Sequence, residues 1–287
     1  MAKQAIDLLE KTHRESEFFG GPFDLNLYSA FLMYYGQAMT VIGNTDQGDE
    51  LCKQGLDFAV EINNRRSIAF AELIYGTVFN FKGDGGSALE HSQSSIRYIE
   101  ETQTAMLLGI AWVFLGWTYY FLGDLDTARN YVEKGIRIQQ ESGLSIMMSQ
   151  HYYFLGTIAL DSGDIDSARS CAEEAINMAK NHNEKLREGD SRILLGRVMS
   201  KTDRSDWVKA EESMLQGIQI IEELNLKLLR SRGYFFLGEF YVDTGQREKA
   251  IKTLKEAEVA FQDMGMGYWL RRTREVLKRV EKGTDAA

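Results

Sequence analysis

Apolar residues recur along this chain with helical spacing, and the pattern itself repeats. Trp112, Leu115, Gly116 and Tyr119 fall on one face of a helix. Gly123 follows and supplies the left-handed residue that ends a helix. Asp126 is the expected N-cap of a second helix carrying Ala128, Val132 and Gly135 and stopping near Gly143. The unit predicted is a helix–turn–helix, with no alternating strand pattern beside it.

The unit sits on a lattice. Gly36, Gly76, Gly116, Gly156, Gly196 and Gly238 are spaced 40, 40, 40, 40 and 42 residues apart, and all six are preceded by Tyr or Leu. Seven residues after these come Gly43, Gly83, Gly123, Gly163 and Gly245. Twelve after come Gly48, Ala88, Ala128, Ala168 and Ala250, with Ala210 two residues late in the 42-residue repeat. Asn63, Asn183, Asn225 and Gly265 stand where Gly143 stands, and Asn and Gly tolerate a left-handed C-cap. The expected repeats are 29–68, 69–108, 109–148, 149–188, 189–230 and 231–267.

The ends are read on the same lattice. Ala5, Leu9 and Thr12 match Ala250, Leu254 and Ala257, so residues 1–28 are expected to be the second helix of an incomplete repeat plus a linker, broken at Gly20-Gly21-Pro22. Residues 268–287 are expected to form a capping helix over the last repeat and a short tail from Gly283. Beginning at half a unit suggests a fragment of a longer protein with further domains.

Composition sharpens this picture at three points. Pro22 is the only proline, where average usage gives roughly 14, so forced helix breaks are absent and Gly and Asn end the helices. The net charge is −9 over 287 residues, against a nucleic-acid binder working through a general basic surface. Cys52 and Cys171 are too few for a disulfide framework or a four-ligand zinc site. Met1–Glu10 lacks the apolar core of a secretory signal. Thr102–Gly123 is 22 uncharged residues, long enough to span a bilayer, but it falls on the lattice and is expected to be a core helix. A cytoplasmic protein without membrane or nucleic-acid partners is the expectation.

Chemistry was sought and not found. His13, His91, His151 and His182 have no metal-ligand spacing, and only His182 and Glu184 are neighbours. Starting a calcium loop at Asp124 puts Arg129 at the sixth place and Gly135 at the twelfth, so the pattern fails and helix capping explains Asp124, Asp126, Asp164 and Asp166. Gly83-Asp84-Gly85-Gly86-Ser87 is a turn, because no G-x-x-x-x-G-K-[ST] occurs. No catalytic residue, metal or cofactor is expected. Residues 268–282 carry a local +4, a surface for an anion or, on the blander reading, a solvated cap.

Trp112-x-x-Leu115-Gly116-x-x-Tyr119 followed by Ala128, with small residues at Gly135, Ala175 and Ala257, resembles the tetratricopeptide repeat (TPR) signature. The period is 40 instead of 34 and the closing proline is absent. HEAT and armadillo repeats share a period near 40 but lack this arrangement. Forty-residue TPR-like repeats resemble those of bacterial MalT-type regulators and of ATPase–nucleotide cyclase proteins. Phe261-x-x-Met264-Gly265-Met266-Gly267-Tyr268-Trp269-Leu270-x-Arg272-Thr273 resembles the end of the TPR region in the latter group.

The resemblance implies an all-α, right-handed superhelical solenoid of antiparallel hairpins whose first helices line a concave face. The second, ninth and twelfth places then point there: Phe70, Thr77 and Asn80; Ile110, Trp117 and Tyr120; Gln150, Thr157 and Leu160; Asp190, Arg197 and Ser200; Arg232, Glu239 and Val242. Phe81, Phe121 and Tyr153 lie alongside. Two readings stay open. In one, Phe70, Phe81, Trp117, Tyr120, Phe121 and Tyr153 anchor a partner peptide or helix in a groove. In the other, superhelix packing buries them. The Lys/Asn set of carboxylate-clamping TPR domains is not matched, since Lys201 and Arg197 stand alone. The function expected is a non-catalytic protein-interaction module; the alternative is a regulatory or sensor segment of a larger bacterial ATPase or nucleotide cyclase.

Overall fold

A computed structural model describes residues 1–19, 24–202 and 204–282. The Gly20-Gly21-Pro22 break and the tail from Gly283 lie outside the described residues. The chain forms two compact units, residues 1–146 and residues 147 onward.

The first unit begins with α1 (Ala2–Thr12) and a two-residue antiparallel pair, β1 (Phe18–Phe19) with β2 (Leu25–Asn26). Three hairpins follow: α2 (Leu27–Ile42) with α3 (Thr45–Glu61), α4 (Arg65–Lys82) with α5 (Gly85–Glu101), and α6 (Ala105–Leu122) with α7 (Leu125–Glu141). The second unit holds α8 (Met148–Asp161) with α9 (Ile165–Asn181), α10 (Lys185–Ser200) with α11 (Trp207–Glu223), α12 (Lys227–Asp243) with α13 (Arg247–Asp263), and then α14 (Gly267–Glu281). A short 3-10 turn, Arg204–Asp206, takes up the two extra residues of the fifth repeat. Within each unit a first helix packs on its own partner and on the neighbouring first helices.

The lattice dictates where helices stop. Left-handed residues fall every 20 positions, at 43, 63, 83, 103, 123 and 143 in the first unit and at 163, 183, 225, 245 and 265 in the second. All are Gly or Asn except Gln103, whose φ of 53° puts a side chain where none is favoured. The N-cap of α7 lies two residues before the expected one. Asp124, not Asp126, accepts the Thr127 backbone N–H at 3.0 Å, and Asp126 sits inside the first turn. Asn26, Asn64, Asp84 and Asp164 cap in the same way.

The Leu-Gly step lets paired helices close up. A Cβ on Gly116 would stand 2.7 Å from the Ala128 carbonyl oxygen, so α7 can lie against α6 only because residue 116 has no side chain. Among the described residues α6 alone is long and apolar enough to cross a membrane, and 61% of it is buried inside the fold. Its apolar run serves the core: Val113, Phe114, Leu115 and Trp117 each keep 5% or less of their surface.

Candidate functional site

The six aromatic residues read from the sequence take two different environments. Phe70, Trp117, Tyr120 and Tyr153 keep 6%, 4%, 9% and 5% of their surface, whereas Phe81 and Phe121 are half-buried. In the first unit the Trp117 and Tyr120 rings stack at 4.5 Å and 2°, and Phe121 meets Trp117 edge-on at 5.4 Å. Phe70 meets Tyr34 edge-on at 5.3 Å, and Tyr34 is itself half exposed. Burying an anchor on a partner requires surface to bury, and Trp117 and Tyr120 offer little; their area already stabilises the fold.

The second unit places charge on the equivalent rows. Asp161 at the end of α8 pairs with Arg197 of α10 at 2.9 Å. Lys201 after α10 pairs with Asp243 of α12 at 2.6 Å. Glu239 of α12 faces Arg272 of α14 at 3.7 Å. The sign therefore alternates from each first helix to the next: acidic on α8, basic on α10, acidic on α12, basic on α14. The Arg197 guanidinium also lies 4.1 Å over the Phe236 ring. Burial pushes the Glu239 carboxyl up, against the pull of Arg272 and Arg197.

These groups line a cleft of about 580 Å³, floored by Leu160, Phe236, Phe240, Val276 and Val280 and rimmed by Asp161, Arg197, Lys201, Glu239, Asp243, Arg272 and Arg279. An apolar floor with a few converging polar groups is the usual build of a ligand site. Lys201 and Asp243 are each about half exposed, and pairs of that kind add little stability, so their charges can be exchanged with a ligand's at small cost.

A buried polar cluster lies in the same unit. Arg232, 6% exposed, donates Nη2 to the Tyr153 hydroxyl at 3.0 Å, and its Nε has no partner. Arg187 donates to Asp190 at 3.4 Å. Burial pushes the Asp190 carboxyl up while Arg232 and Arg187 pull it down. His151 is fully buried with neither ring nitrogen hydrogen-bonded, and burial, with a smaller push from Arg187, lowers it to about 3.

Sequence reasoning found Asp190, Arg197, Arg232 and Glu239 as a charged end and missed the pairing. The signal was available: five residues after the lattice glycine stand Asp161, Lys201 and Asp243, opposite in sign at each step. Phe236 and the α14 residues Arg272 and Arg279 were not read as part of this face. Among the described residues no group of three His, Cys, Asp or Glu side chains is arranged to hold a metal. Cys52 is buried and its thiol is pushed up to about 12, mainly by burial, which removes nucleophilic character.

Comparison with known proteins gives the class. The tetratricopeptide repeat family model matches residues 110–142, 150–182 and 231–258, so the chain carries tetratricopeptide repeats over those residues. No curated protein sequence matches it. Among solved structures it is similar to a Rap protein complexed with Competence and Sporulation Factor (TM-score 0.65, 16% identity, 98% of this chain and 72% of that one). It is also similar to the Rap conjugation gene regulator of the plasmid pLS20 in complex with the Phr* peptide (TM-score 0.62, 12% identity, 90% and 75%). A third likeness is to a signal transduction ATPase with a tetratricopeptide repeat sensor from Pyrococcus horikoshii (TM-score 0.54, 15% identity, 96% and 42%). At these identities the likeness is one of fold: all-α, TPR-like helical solenoids.

Proposed function

We propose that this chain is a non-catalytic module that binds a peptide, or an exposed segment of a partner protein, along the first helices of its second unit. The observation that carries this reading is the charge ladder Asp161–Arg197, Lys201–Asp243, Glu239–Arg272 over the floor of Phe236 and Phe240. Such a surface selects a segment with alternating charge and interspersed apolar side chains. The peptide complex of the similarly folded pLS20 regulator supports a peptide as ligand.

The test is selection from a displayed random-peptide library against the whole chain, followed by titration of the selected peptide into Arg197→Glu. Enrichment with wild type, and a loss of about tenfold or more in affinity for the variant, is expected. No enrichment, or equal affinity for the variant, contradicts the reading. A sensor segment of a larger ATPase or nucleotide cyclase is the second reading; it is favoured by the likeness of 96% of this chain to less than half of the archaeal ATPase.

A further inference from the structure

Each of α2, α4, α6, α8, α10 and α12 has an antiparallel partner helix packed on it, but α14, which takes the place of a seventh first helix, has none among the described residues. Its inner face is spent: Trp269, Thr273, Val276, Leu277 and Val280 are buried. Its outer face is basic in a chain of net charge −9. Residues 267–282 carry six Arg and Lys against Glu275 and Glu281. Arg274 is paired with Glu258 at 2.6 Å, but the exposed Arg271, Lys278 and Lys282 have no ion-pair partner among the described residues. Shallow clefts of about 580 and 350 Å³ flank the row, and Glu275 and Lys278 line both.

One substitution on the lattice sets what can lie there. Leu237-Gly238 becomes Leu277-Lys278 one period of 40 later. A Cβ on Gly238 would stand 2.6 Å from the Leu254 side chain of α13, so glycine is what admits the partner helix. At Lys278 a long cation occupies that place and bars a further hairpin helix of the tight kind. A looser helix, offering carboxylates instead of close backbone contact, fits.

We propose that the outer face of α14 docks an acidic helical segment of a partner protein. Arg271, Lys278 and Lys282 are spaced by about 10 and 6 Å along the axis, which are two turns and one turn of a facing helix. Charge complementarity favours a short acidic segment over a nucleic acid or an anionic membrane, because an extended polyanion also meets the repulsion of the rest of this acidic chain. The larger of the two flanking clefts shares Glu239 and Arg272 with the proposed peptide cleft, but Arg271, Lys278 and Lys282 do not line that cleft, so variants of these three test the α14 face alone.

The probe is a fluorescein-labelled alanine-based helical peptide with glutamates at the matching seven- and four-residue spacing, titrated by anisotropy into the whole chain. Binding is expected at about 0.02 M salt and should weaken about tenfold at about 0.2 M. The double variant Lys278→Glu/Lys282→Glu should bind about tenfold more weakly, and Lys53→Glu in the first unit should bind as wild type. Circular dichroism checks the fold, with Lys278→Gln/Lys282→Gln as the milder pair if the reversal melts early. No binding at low salt, or equal binding by both lysine variants, overturns the proposal. So does tighter binding of a DNA duplex or of phosphatidylserine vesicles, or self-association of the chain that the lysine variants abolish.

Discussion

Five residues after the lattice glycine, the first unit has Val41, Phe81 and Phe121, and the second has Asp161, Lys201 and Asp243. One residue after it, the first unit has Gln37, Thr77 and Trp117, and the second has Thr157, Arg197 and Glu239. The backbone at these places is the same helix end in every repeat, so the fold does not choose between the two sets. The first unit uses its positions for packing: Trp117 stacks on Tyr120, and Gln37 reaches Thr77 at 3.3 Å. The second uses them for ion pairs that cross from one repeat to the next. Net charge divides the same way, with 11 Lys and Arg against 19 Asp and Glu up to residue 146, and 22 against 23 beyond it. A repeat protein can thus keep one lattice and place aromatic packing on one stretch of it and ion pairs on another.

The comparison breaks most readily at its ends. Deleting residues 267–287 removes Trp269, which is 1% exposed and packed against Phe235, Phe236 and Phe261. The second unit should lose about 4 kcal/mol or more, read as a lower melting temperature or aggregation. An unchanged melting curve would mean that α14 does not cap the array. Next in size is a pair of variants. Trp117→Ala should destabilise by about 3–5 kcal/mol and Lys201→Ala, in an exposed pair with Asp243, by less than about 1 kcal/mol, in urea titrations under one condition. Comparable losses would erase the distinction between a packing row and a charged row.

A pH experiment sharpens the contrast inside the second unit. His151 is held at about 3 when folded, against an ordinary value of 6.5, so the neutral form belongs to the folded state. Its contribution is complete above pH 6.5 and declines as the pH falls from there toward 3, by about 1.4 kcal/mol per unit. Between pH 7.5 and 5.5 wild type should lose about 1.4 kcal/mol that His151→Phe does not lose. Equal losses would place the proton elsewhere. The smallest effect is a gain: Gln103→Gly relieves the one left-handed residue of the period, among the described residues, that is neither Gly nor Asn, and should stabilise the first unit by about 0.5–1 kcal/mol.

The repeats were legible because they are written in residues whose backbone role is unambiguous. A glycine every 40 residues admits a partner helix, and Gly or Asn about 7 and 27 residues after it ends one. Gln103 escaped because nothing about glutamine announces a left-handed turn; only its place on the lattice does. The first N-cap was misread by two residues because Asp124 and Asp126 are equal candidates until the helix start is known. Of the six aromatic residues, Trp117, Tyr120 and Phe121 do meet, but their exposure was not legible. Helical periodicity gives the direction of a side chain, and not whether the next helix covers it, so Trp117 at 4% and the half-buried Phe121 looked alike. The charge ladder was missed because each partner lies about 40 residues from the other, beyond the range over which charge patterns are ordinarily read.

The proposed ligand face is the row of first helices in the second unit. The direct measurement is photo-cross-linking of the selected peptide, carrying a benzophenone near its middle, to the whole chain, with the adducts mapped by mass spectrometry. Adducts within residues 160–165, 197–201 and 236–243, lost in Arg197→Glu, are the result expected. Adducts confined to residues 70–81 and 117–121 would contradict it and return the binding face to the aromatic row of the first unit.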